Sequence, residues 1–164
     1  MVILQEEVKY MQLTQKETSL LKDLKDQEQI CVEKYSKYSN DASDGQLKNL
    51  FTQIGQAEQQ HLDTINQIMS GQTPAMQSGG GNNQTQQTFT PTYKAADQSQ
   101  NKQNDSYLCT DLLSTEKHVS STYNTCIFEF KDTNIRSALN HIQKEEQQHG
   151  EQIYNYMAQN GMYN

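Results

Sequence analysis

The sequence predicts an all-α protein, a four-helix bundle made of two duplicated helical hairpins with one long crossover between them. Three observations carry that reading. Apolar residues recur at three- and four-residue steps in four stretches of about 25 residues each. Residues 23–69 align without a gap on residues 111–157, at a fixed offset of 88 and with identity at 12 of 47 positions. Each half also carries an inward Glu on its first helix and a Glu-x-x-His on its second.

Taken in order, the first stripe is Leu13, Leu20, Leu21, Leu24, Cys31, Tyr35 and Tyr38. Thr14 and Glu17 open it at capping-box spacing, so residues 1–13 read as an N-terminal extension. After the break NDASDG the second stripe takes Leu47, Leu50, Phe51, Ile54, His61, Ile65, Ile68 and Met69. Ser43 and Gln46 have the spacing of a second capping box, and Gly71 with Pro74 beyond it marks the stop. The first hairpin is therefore 14–69. Residues 70–104 hold both prolines, the run Gly79-Gly80-Gly81 and amide-rich stretches without apolar period, which predicts a flexible crossover about 35 residues long. A third stripe follows at Leu108, Leu112, Val119, Tyr123, Ile127 and Phe130, and a fourth at Ile135, Leu139, Ile142, His149, Ile153 and Met157, ended by Gly161. They give a second hairpin over 105–160, and residues 14–164 form one bundle. Helices of this length run about 37 Å, so the crossover has to travel the length of the bundle if the second and third helices are parallel.

Composition narrows the partners. Only 33% of the chain is apolar, while 24 Gln and 13 Asn make it rich in amides, so the core is thin and the surface polar. With 20 acidic against 13 basic residues, the net charge of −7 argues against nucleic acid or an anionic membrane surface as a partner. No apolar run approaches the ~20 residues that span a bilayer, and MVILQEEVKY shows no secretory signal. Three cysteines, Cys31, Cys109 and Cys126, are an odd number at no metal spacing, which fits synthesis in a reducing cytosol better than a disulfide framework.

The duplication brings candidate chemistry into register. Glu58 and His61 lie three apart on one helix face, as do Glu146 and His149. Glu28 precedes Glu58 by 30 residues, and Glu116 precedes Glu146 by 30. The midpoints, 43 and 131, fall at the two hairpin turns, so each hairpin sets its pair of glutamates at one height. Glu28 continues the stripe through Leu24 and Cys31, and Glu116 the stripe through Leu112 and Val119, so both face inward. Four inward carboxylates at one level repel one another and are costly to desolvate unless protonated, paired or metal-bound. Two divalent cations, iron or manganese with zinc as a further candidate, answer that problem. The candidate ligands are Glu28, Glu58, His61, Glu116, Glu146 and His149. A Glu from each of two helices plus two Glu-x-x-His motifs is the ligand set of ferritin-like di-iron and di-manganese bundles. His118 and His141 lie beside the stripes and read as surface residues, and Cys31 and Cys126 as small buried hydrophobes.

Over about residues 105–163 the chain resembles the Coat F family of spore coat proteins. The resemblance rests on Leu113-Ser114-Thr115-Glu116-Lys117, Tyr123-Asn124, Ile135-Arg136, the Glu145-Glu146-x-x-His149 block, and the closing Tyr156-Met157 with Gly161 and Tyr163. The chain has Gly161-Met162-Tyr163 where the family pattern has Gly-Trp-Tyr. The resemblance implies a ferritin-like bundle in the endospore coat, made in the mother-cell cytoplasm, with other coat proteins as partners and a homodimer as a further option. It implies no catalytic activity. The expected function is thus a structural coat component with a ferritin-like core able to hold two metal ions. The alternative is a di-iron or di-manganese redox enzyme of ferroxidase, peroxidase or catalase type.

Overall fold

A computed structural model describes residues 11–74 and 87–163, and every described element is helical. The helices are α1 (Gln15–Asp41), α2 (Gly45–Met69), α3 (Gln100–Ile127) and α4 (Thr133–Gln159). They form a four-helix bundle. Thr14 caps α1 through the capping box with Glu17. Asp44 caps α2 and Asp132 caps α4, each accepting the N–H of the second helical residue; the two caps are 88 residues apart. The α2 cap falls one residue beyond the Ser43–Gln46 spacing. Ser43 and Asp44 are both residues that favour a cap, and the choice is settled by Asp105, which takes the Ser43 N–H at 2.7 Å. Gly71 and Gly161 follow α2 and α4 in the left-handed region, at φ of 85° and 62°.

The pairs that touch fix the topology. α1 packs on α2 and α3, and α4 packs on α3 and α2. Across α1 and α3, Lys34 meets Asp111 while Tyr123 meets Glu28, so rising number on one helix meets falling number on the other. Across α2 and α4, His61 meets Glu146 and His149 meets Glu58, again antiparallel. With both hairpins antiparallel as well, α2 and α3 run parallel on one diagonal and α1 and α4 on the other.

Two apolar clusters fill the interior. One holds Tyr35, Leu50, Phe51, Ile54, Leu112 and Tyr156 toward the α1–α2 turn, and the other Leu21, Leu24, Ile65, Tyr123, Ile135 and Leu139 toward the α3–α4 turn. Burial of such side chains contributes about 1.5–3 kcal/mol each before the entropy of ordering is set against it. Between the clusters lies a layer of ionisable groups.

The crossover is less free than its composition predicts. α3 begins at Gln100 rather than near 105, and residues 87–99 lie against the end of the bundle beside the α1–α2 turn. Phe89 and Tyr93 are buried there, Phe89 edge-on to Tyr156. Residues 75–86, with the Gly79-Gly80-Gly81 run, lie outside the described residues, as do residues 1–10 of the extension. Met11 and Leu13, also assigned to the extension, pack against the second cluster.

Asp105 clamps this end. It accepts the N–H groups of Ser43 and Asp44 and, at 2.7 Å, the hydroxyl of Tyr93. Asp44 takes the Tyr156 hydroxyl at 2.6 Å, and Asn160 takes the N–H groups of Thr92 and Tyr93. Lys102, also buried, donates to the carbonyls of Lys94 and Ala95. Replacing Asp105 with alanine strands three donors, and we expect a loss of roughly 2–3 kcal/mol in denaturant unfolding.

Glu17 ties the opposite end, accepting the N–H of Thr14 at 2.8 Å and of Lys131 at 3.1 Å. Burial alone would raise its carboxyl, but these backbone donors and the Thr14 hydroxyl outweigh burial and hold it below its usual value. A carboxyl lowered on folding contributes stability that is present above its unfolded value near pH ~4.3 and is lost as pH falls through the folded one. Glu17→Ala is therefore expected to cost about 1 kcal/mol at neutral pH. Its deficit against the unsubstituted protein should close on acidification below about pH 4, as read from paired denaturation curves.

Candidate metal centre

Heptad-like spacing places the ionisable layer. Glu28 follows Leu21 and Leu24 on the inward face of α1, and Tyr35 continues that face two turns later. α3 repeats this with Leu112, Glu116, Val119 and Tyr123. On α2 and α4 the three-residue step sets Glu58 beside His61 and Glu146 beside His149. All six sequence-predicted ligands are brought together and all are buried, with Glu28, Glu58 and Glu146 at 0% exposure.

They form two overlapping groups. Glu28, Glu58, His61 and Glu146 bring one ligand atom each to within 4.8 Å of one another, and Glu58, Glu116, Glu146 and His149 do the same. Glu58 and Glu146 belong to both. Nδ1 of His61 lies 3.2 Å from Glu58 and 3.0 Å from Glu146, and Nδ1 of His149 lies 3.1 Å from Glu58. The two imidazoles stack at 5.7 Å between centroids. The donor set is oxygen with one nitrogen per group, suited to iron, manganese or zinc. One carboxylate oxygen each of Glu28, Glu116 and Glu146 is buried without a hydrogen-bond partner. Orphaned acceptors are costly in a protein interior, and a pair of divalent cations is the kind of group they fit.

Three further residues belong to the layer. The Tyr35 hydroxyl donates to Glu116 at 2.5 Å, and the Tyr123 hydroxyl donates to Glu28. The two bonds cross between α1 and α3 and are related by the offset of 88. The third is Glu145, which lies 2.6 Å from Nε2 of His61 and also pairs with exposed His141. A carboxylate on Nε2 keeps that nitrogen protonated, so Nδ1, which faces the other carboxylates, is the nitrogen that would bind a metal on losing its own proton. The position matching Glu145 in the first half is Ala57, so His149 has no such partner there.

The groups divide by charge. Burial pushes Glu28 well above the usual carboxyl range, and the nearby Glu146 and Glu58 push it further. Burial raises Glu116 likewise, with Glu146 adding to it. For Glu58 burial acts in the same direction, but hydrogen bonds to His149 and His61 win and hold it well below. Glu146 is also lowered, its bonds to Glu116, His149 and His61 outweighing burial. Burial would lower both histidines, yet their carboxylate partners raise them well above their usual value, Glu145 foremost for His61 and Glu116 for His149. The repulsion expected among four carboxylates is thus offset by two imidazolium groups seated among them.

That division sets what each substitution costs. Glu28→Gln and Glu116→Gln fall on the two carboxyls whose charged form burial disfavours, and each should change metal-free stability by no more than about 1 kcal/mol. Glu58→Gln or Glu146→Gln breaks a buried ion pair and should cost about 3–5 kcal/mol. Denaturant unfolding of chelator-treated protein checks both.

Comparison with known proteins adds one finding. The Coat F domain profile matches residues 104–164, which take in most of α3 and all of α4. No curated protein and no solved structure matches the chain.

Proposed function

We propose that this protein is a structural component of the bacterial endospore coat whose bundle is ferritin-like and holds a dinuclear divalent-metal site. The Coat F domain supports the coat assignment, with other coat proteins as partners. Three free buried thiols suit synthesis in the mother-cell cytoplasm before assembly. No helix among the described residues is long and apolar enough to cross a membrane.

The observation that carries the metal site is the pair of overlapping ligand groups sharing Glu58 and Glu146. The diagonal parallel pairing of α2 with α3 supports the ferritin-like reading. So do the contacts repeated at an offset of 88, which support descent of the two hairpins from one. The two cations would add Lewis acidity and, for iron or manganese, redox capacity. The chain's own residues do the rest. Glu58 and Glu146, common to both ligand groups, would hold the ions together with Glu28, Glu116, His61 and His149, and the phenols of Tyr123 and Tyr35 hold the Glu28 and Glu116 carboxylates in place. Glu145 orients His61.

Binding to the folded state alone raises stability. Added manganese, iron or zinc should therefore raise the melting temperature of chelator-treated protein, more at neutral than at acid pH, because protons compete for the same ligands. Simultaneous replacement of Glu58 and Glu146 with Gln should abolish the shift. A melting temperature indifferent to all three metals near neutral pH would sink the site and leave the coat scaffold.

The alternative, a redox enzyme of ferroxidase, peroxidase or catalase type, is favoured by one observation. A cleft on the α3–α4 face reaches Glu116 and Glu146, so a small substrate has access to the ligands. Oxygen evolution from hydrogen peroxide by the manganese-loaded protein, absent when Glu58 and Glu146 are replaced, would decide for it.

A further inference from the structure

The interior of the layer repeats at an offset of 88, but its outer wall does not. Between α3 and α4 a cleft of about 470 Å³ runs down to Glu116 and Glu146. Tyr154 and Tyr163, 44% and 46% exposed, stand at its rim, their rings edge-to-face at 4.9 Å. Leu113 and Gly150 line the passage between rim and floor. The residue that matches Gly150 in the first half is Leu62, a bulky side chain that is buried, at 6% exposure. The pocket of about 260 Å³ on the α1–α2 face, lined by Tyr35 and Gly55 among others, touches none of the six ligands.

The floor states what the cleft admits. Glu116 and Glu146 each present a buried oxygen without a hydrogen-bond partner, and both line the cleft. Acceptors of this kind repel anions and bind cations. The other ligand group, around His61, has Glu145 on Nε2 of that histidine, and its Glu28, Glu58 and His61 do not line the cleft. His149 has only Ala57 at the matching place.

We infer that the α3–α4 cleft is the path by which divalent cations enter and leave the layer, so that the group around His149 exchanges quickly and the group around His61 slowly. Gly150 is the residue that keeps the path open. This rests on the metal-site reading above. A Cβ at Gly150 would stand 3.7 Å from Leu113 Cδ1, an ordinary contact, so larger residues can be introduced without a clash at their first atom.

The test is stopped-flow mixing of chelator-treated protein with cobalt(II), followed by visible absorption of the bound ion. The unsubstituted protein should load in two phases of similar amplitude. Gly150→Leu, which copies the first half, should slow the fast phase at least tenfold with the final amplitude unchanged, and Gly150→Ala should fall between. Leu62→Ala should speed the slow phase several-fold. It keeps the test decisive if Gly150→Leu fails to give a native circular dichroism spectrum. No cobalt bound by the unsubstituted protein would overturn the metal site itself. Binding with rates untouched by these substitutions would overturn only the path.

Discussion

Six ionisable side chains buried in one layer, with no Lys or Arg among their partners in the described residues, set the terms for the rest of this molecule. Such a layer is tolerable only near electrical neutrality. Two raised glutamates, two lowered glutamates and two raised histidines move the layer toward it, with Glu145, also lowered, paired to His61. Under the proposed function the same balance returns with different carriers. Four ionised carboxylates and two neutral imidazoles would face two doubly charged cations, so each ion takes the place of two protons. Folding and loading then make no conflicting electrostatic demands.

Neutrality requires the six groups to be level, and that requirement reaches into the turns. A one-residue change in either hairpin turn would lift Glu58 off Glu28, or Glu146 off Glu116, and rotate it about 100° around its helix axis. The caps Asp44 and Asp132 are placed to prevent this, each starting its second helix at a fixed point. Asp105 holds the first turn by the N–H groups of Ser43 and Asp44, and Glu17 holds the second through Lys131. Both ends of the bundle are thus pinned by a carboxylate from a helix outside the turn it grips. The apolar clusters on either side supply the burial, while these polar contacts supply the register.

Much of this was legible in the sequence because level placement follows from arithmetic. Equal separations of 30 residues centred on two turns are enough to bring Glu28, Glu58, Glu116 and Glu146 together without knowing any contact. What escaped was whatever lacks a period. Tyr35 and Tyr123 sit in apolar stripes and read as core, and only the pairing of their hydroxyls across the bundle shows their other use. Glu145 is one residue from a ligand and reads as part of the same block. Its signal was the mismatch with Ala57 at the repeat position. Phe89 and Tyr93 stand alone in an amide-rich stretch, so no pattern announced that they would be buried. Asp105 and Asn160 act through tertiary contacts to backbone N–H groups, which single-sequence patterning does not register.

The places where the two halves agree and differ are themselves ordered by depth. Identity is kept at Glu28 and Glu116, at Tyr35 and Tyr123, and through Glu58–His61 against Glu146–His149. These residues bond across the bundle to one another's counterparts, so a change in one half would strand a partner in the other. Ala57 against Glu145 and Leu62 against Gly150 lie one layer farther out. There no reciprocal pair of crossed bonds ties one half to the other, since Glu145 bonds His61 while Ala57 offers His149 nothing in return. Glu145 can therefore reach His61, and Gly150 can leave a cleft, without disturbing the charge balance inside. A core whose two hairpins repeat each other's contacts can in this way carry two unlike faces, and the cleft beside Gly150 belongs to one of them.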